Sequence, residues 1–94
     1  MAVYRITKFT SNDMGKAAEA SESIRSLIES TNSEFIDIVD MGDGNGMVIA
    51  KYADEAAMQA ATEIAKSAFG QLVQSGDVNG DSIQPSSGTV VNNF

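Results

Sequence analysis

Glu34-Phe35-Ile36-Asp37-Ile38-Val39-Asp40-Met41, then Gly42-Asp43-Gly44-Asn45-Gly46, then Met47-Val48-Ile49-Ala50-Lys51-Tyr52 is the stretch on which the fold turns. Two runs dense in β-branched and aromatic residues flank a turn whose glycines, Asp and Asn accept positive φ at little cost, which is the pattern of a β-hairpin. Side chains on a strand alternate between its two faces, so Phe35, Val39 and Met41 oppose Ile36 and Ile38, while Met47 and Ile49 oppose Val48, Ala50 and Tyr52. A sheet with one wet face would carry polar residues at every second position. Here both faces are largely apolar, so both need a cover.

Upstream of the hairpin, Met14, Ala17, Ala20, Ile24, Leu27 and Ile28 recur at three- and four-residue spacings, which predicts an amphipathic helix from Met14 to about Thr31. Ser11-Asn12-Asp13 supplies its N-cap candidates. Before it, Ala2 to Thr10 reads as a strand. Downstream, Asp54-Glu55 opens a second helix carrying Ala57, Met58, Ala61, Ile64, Ala65, Ala68, Phe69 and Leu72, which Gly76 closes. Gly70 costs that helix about 1 kcal/mol relative to Ala and marks where it would bend or split. The tail, residues 81–94, offers Ser82-Ile83-Gln84 and Thr89-Val90-Val91 as strand pieces, separated by Pro85-Ser86-Ser87-Gly88. The order βαββαβ is the ferredoxin-like arrangement: one α+β domain spanning 1–94, with two helices on one face of a four-stranded antiparallel sheet. No residues remain to cover the second face. A second copy of the chain, stacked sheet to sheet as a homodimer, is the expected cover.

Composition sets outer limits on function. The 94 residues carry 43% hydrophobic and 20% charged side chains, enough apolar material for one modest core. A net charge of −7 argues against nucleic acid and anionic membrane surfaces as partners. With neither His nor Cys, the chain lacks disulfides, Cys/His metal sites and the usual nucleophile–imidazole dyads, so no metal and no cofactor are expected. The first residues show no signal-peptide pattern, and a cytoplasmic location is the default expectation.

Three local stretches add to this pattern: Lys51-Tyr52-Ala53-Asp54-Glu55-Ala56-Ala57-Met58 at the strand-to-helix passage, Phe69-Gly70-Gln71-Leu72, and Gly88-Thr89-Val90-Val91. Together with the element order they resemble the dimeric α+β barrel superfamily, most closely its antibiotic-biosynthesis-monooxygenase-like branch. The resemblance implies paired ferredoxin-like protomers, each with a cavity between sheet and helices lined by the aromatic that ends the third strand, here Tyr52. The His found in many catalytic members has no counterpart, which argues against haem degradation. Three functional readings follow: a module binding a small apolar or aromatic molecule, a cofactor-free monooxygenase or isomerase acting on a phenolic or quinol-like substrate, and a structural dimer without ligand.

The candidate ligand-binding residues are Tyr52, Arg5 and Lys8. A phenol at a cavity can donate a hydrogen bond to an oxyanion, and a strand cation can orient an anionic group. Arg5 and Lys8 have opposite parity, so at most one of them faces the cavity. Asp37 and Lys51 are expected to pair across the hairpin. Asp77-Val78-Asn79-Gly80-Asp81 has the opening spacing of a calcium loop, but Ser82 and Gly88 stand where such a loop needs Gly and Glu, so it reads as a polar turn. Gly42 to Gly46 lacks the Lys and following helix of a phosphate loop.

Overall fold

Four strands and three α-helices follow one another in the computed structural model, which describes residues 1–94: β1 (Val3–Thr10), α1 (Met14–Ser23), α2 (Arg25–Glu29), β2 (Phe35–Gly42), β3 (Asn45–Tyr52), α3 (Glu55–Gln74) and β4 (Gln84–Thr89), with a 3-10 turn at Gly80–Ser82 before the last strand. The strands form one antiparallel sheet in the order β2-β3-β1-β4. β1 and β2 are both antiparallel to β3 and therefore parallel to each other, which requires the helical crossover between them. This is the ferredoxin-like βαββαβ fold, with its helices on one face.

Side-chain caps fix the helix starts. Asp13 accepts from the Lys16 N–H at 3.1 Å and Asp54 from the Ala57 N–H at 2.8 Å, each satisfying one of the free donors of a first turn. The first helix is broken where the spacing predicts continuity. Ser21 and Ser23 donate to the carbonyls of Ala18 and Ala20, both at 2.6 Å, and Ile24 then leaves helical geometry at φ −111°. Hydroxyls bonding back to carbonyls bend helices, and a β-branched residue follows. Conversely, α3 runs unbroken through Gly70, because Phe69 and Leu72 beside it are anchored in the core.

The last strand occupies the very Pro85 to Gly88 stretch that composition marks as a separator. β4 is an edge strand, bonded to β1 alone, so Pro85 can sit where its missing N–H costs no ladder bond.

Registry assigns the faces. Val3, Arg5, Thr7 and Phe9 of β1 lie beside Tyr52, Ala50, Val48 and Gly46 of β3 and face the helices. There, Val3, Ala50, Tyr52, Met58 and Ala61 form one buried cluster, and Phe9, Ile24, Leu72 and Val78 a second. Tyr4, Ile6, Lys8, Met47, Ile49 and Lys51 share the outer face with Phe35, Asp37 and Val39. Nothing covers it: Phe35 is 38% exposed and nearby Met41 58%. Tyr4 and Phe35 meet edge to face at 6.1 Å. Lys51 does not pair with Asp37; it reaches Glu34 at 3.4 Å and lies 5.9 Å from the Tyr4 ring centre. Asp37 stands opposite Ile49, two residues along the strand from Lys51's partner Phe35. The protomer exposes 5790 Å², where a compact chain of its mass would expose about 5,200 Å². No helix is long and apolar enough to cross a membrane.

Candidate functional site

The broken α1–α2 segment packs over the β2–β3 half of the sheet, with Ile24 and Ile28 near Ile36, Ile38 and Val48. α3 lies beside it, and the β4 side stays open. Between α3 and the β1–β4 strands is a cleft of about 490 Å³, within the range of small-molecule sites. Thr62, Ala65, Lys66, Phe69 and Val73 line its α3 wall at helical spacing, Arg5 and Thr7 its floor, and Ile83 and Pro85 its far side.

Arg5 is the polar centre of this cleft. Its Nη2 donates to Thr62 Oγ1 at 2.7 Å and to the Met58 carbonyl at 3.4 Å, which ties the guanidinium to α3. The Thr62 hydroxyl in turn donates to the same carbonyl at 3.3 Å. The ion pairs of the chain are Glu22–Arg25, Glu34–Lys51 and Glu63–Lys66, so Arg5 has no carboxylate partner. A guanidinium carries five N–H donors, and those outside the two bonds to α3 are free for a ligand. Lys66 stands at the mouth, 70% exposed at its side chain. No acidic residue lines the cleft. It is a locally cationic pocket in a chain of net charge −7.

Parity separates the other candidates. Lys8 is exposed on the outer face, in a depression with Met41, Met47 and Gln84, so Arg5 is the strand cation that turns inward. Tyr52 is 1% exposed and packed among Val3, Ala50, Met58 and Ala61; the cleft wall does not include it. Burial pushes its pKa above the usual tyrosine value, opposed in part by the positive charge of Arg5. Registry explains the placement: Tyr52 pairs with Val3, one end of the sheet away from Thr7 and Ile83. Asp77 to Asp81 ties the end of α3 to β1. Asn79 N and Nδ2 donate to Thr10 O and Oγ1, both at 2.9 Å, and Ser11 Oγ donates to the Asp77 carbonyl.

Thr62, Lys66 and Ile83 carry no motif in the sequence. The available signal is Thr62 itself, a polar residue four positions after buried Met58 on the core-facing stripe. Phe69 belongs to that stripe, but its place on a cleft wall depends on where β4 docks.

Solved structures share this architecture over nearly its whole length. The chain is similar to SnoaB, a cofactor-independent oxygenase from Streptomyces nogalater, with a TM-score of 0.75 and 11% identity over 99% of this chain and 96% of that one. A dimeric ferredoxin-like protein of unknown function from Jannaschia sp. CCS1 matches with a TM-score of 0.67 and 15% identity, over 96% and 100% of the two chains. Another, from an uncultured marine organism, gives 0.69 and 13% over 99% and 90%. The fold shared with these structures is the ferredoxin-like one. At these identities the likeness is one of architecture. No protein-family model matches the chain, and no curated protein sequence does.

Proposed function

We propose that this ferredoxin-like chain is a homodimer that binds a small, largely apolar aromatic molecule bearing one acidic group in the cleft between α3 and the β1–β4 strands. The observation that carries this is Arg5, an inward-facing cation without a carboxylate partner in a chain with 13 acidic residues. A partly desolvated cation costs free energy unless an anion meets it. The walls, Phe69, Val73, Ile83 and Pro85, suit a flat hydrocarbon body. Supporting the dimer are the uncovered apolar face, the excess of exposed surface and the dimeric state of the two ferredoxin-like neighbours.

Titration with benzoate and 2-naphthoate tests the site. The expected result is saturable binding that Arg5→Met weakens by about 10- to 100-fold, the scale of a lost charged hydrogen bond of about 1.5–3 kcal/mol. Equal binding by the variant would sink the assignment of Arg5.

The whole-length likeness to SnoaB favours a second reading, oxygenation of an enolisable or phenolic aromatic held in the same cleft. The substrate itself would supply the electrons to dioxygen, and Arg5 would stabilise its oxyanion. Oxygen uptake in the presence of phenols and quinols, lost in Arg5→Met, is the result this reading requires.

A further inference from the structure

Beside the 490 Å³ cleft, a second void of about 60 Å³ lies between the α1–α2 segment, α3 and the β2–β3 strands. Its lining is almost wholly apolar, with Ile24, Ile28, Ile36, Val48 and Leu72 around it. Phe69 and Ala65 line both spaces. Ala65 contributes a single methyl, so the Phe69 ring is the one large side chain standing between them. That ring is held edge to face against Phe9, with ring centres 6.3 Å apart. Phe9 is in turn 4% exposed and fixed over Gly46.

The geometry points to Phe69 as a specificity-determining residue that sets the length of molecule the cleft accepts. A ligand anchored by its acidic group at Arg5 extends along the cleft until it meets this ring. The space behind the ring is apolar, walled on its far side by Ile24 and Ile28 from the broken helical segment. Removing the ring joins the two spaces without touching Arg5 or Thr62. The second void then takes the far end of a longer ligand, where each buried ring removes apolar surface from water. The inference rests on the cleft being the ligand site proposed above, and adds that its inner limit is one side chain.

The test uses the intact chain and three probes of increasing length: benzoate, biphenyl-4-carboxylate and p-terphenyl-4-carboxylate. In the unmodified protein, affinity should rise from one ring to two and fall at three. Phe69→Ala should bind the three-ring probe at least about tenfold tighter than the unmodified protein does, and the ratio of three-ring to one-ring affinity should rise at least about tenfold. Phe69→Leu keeps an aliphatic contact with Phe9 and serves if the alanine variant fails to fold; it should shift the preference in the same direction by a smaller factor. Methyl chemical shifts of Ile24, Ile36 and Leu72 should move on adding the three-ring probe to either variant. If the variants change all three affinities by one factor, Phe69 is only a packing residue and the inference is wrong, while the cleft stands. If no probe binds the unmodified protein, the ligand site and this inference fall together.

Discussion

Gly46 lies directly under the ring of Phe9, so that a Cβ added to Gly46 would stand 2.4 Å from Phe9 Cζ. The two residues are register partners on β3 and β1. Glycine is required here for space, whereas the neighbouring hairpin glycines Gly42 and Gly44 are required for their positive φ. Gly46→Ala should lower the free energy of unfolding by about 1–3 kcal/mol through overpacking, read as a shift in the urea midpoint with an unchanged slope. Adding Phe9→Leu should return part of that loss, since the clash is with the ring edge. Equal stability of Gly46→Ala would mean that Phe9 relaxes freely, which its contact with Phe69 opposes.

Gly70 offers the opposite case. It is helical and lines the cleft, and a Cβ there meets nothing within 4 Å. Gly70→Ala should stabilise the protein by about 0.5–1 kcal/mol by narrowing the unfolded ensemble. Thermal melting checks this.

Tyr52 gives a pH signature. Its folded pKa is raised by burial, so above the ordinary tyrosine value of about 10 the unfolded chain loses a proton that the native state still holds. Stability from this group is fully present below about pH 10 and declines as pH rises toward the native value. Tyr52→Phe should fold normally at neutral pH, because the ring is retained, and its unfolding free energy should fall less steeply above about pH 10 than that of the unmodified protein. Parallel slopes would show that the hydroxyl is more hydrated than its surroundings imply.

Ile6 and Ile49 are paired at the middle of the outer face. Sedimentation at micromolar concentration should give about twice 9.9 kDa, and Ile49→Lys should yield a monomer, because a charge at the centre of an apolar contact is left unpaired. A monomeric unmodified protein would remove the dimer.

The element order, both N-caps and the glycine stop after α3 are legible in the sequence because each rests on local chemistry: periodicity, a carboxylate at a helix start, a residue that tolerates φ +82°. β4 is not, because Gln84-Pro85-Ser86-Ser87-Gly88 has no strand propensity of its own and is extended only by pairing with β1. The break at Ile24 is hidden for a similar reason: the apolar spacing continues across it, and only the serine hydroxyls on the preceding turn give it away. For the candidate site, alternation says that one of Arg5 and Lys8 turns inward but not which, since that depends on which face the helices take. Tyr52 at the strand end reads as a cavity-lining residue, yet α3 begins three residues after it and its buried Met58 and Ala61 pack against the ring. Thr62, Ile83 and Phe69 meet Arg5 through contacts distant along the chain, which no local pattern announces.

β1 is an inner strand whose two neighbours, β3 and β4, both come later in the chain. During synthesis at about 5–20 residues per second, β1 waits on the order of several seconds for β4. Until then its Val3, Thr7 and Phe9 face is without the finished cover, and its outer ladder is an open edge made of Tyr4, Ile6 and their neighbours. The nascent chain therefore makes β1 before either of its partners, and the strand's exposure to other chains ends only once β4 has been added.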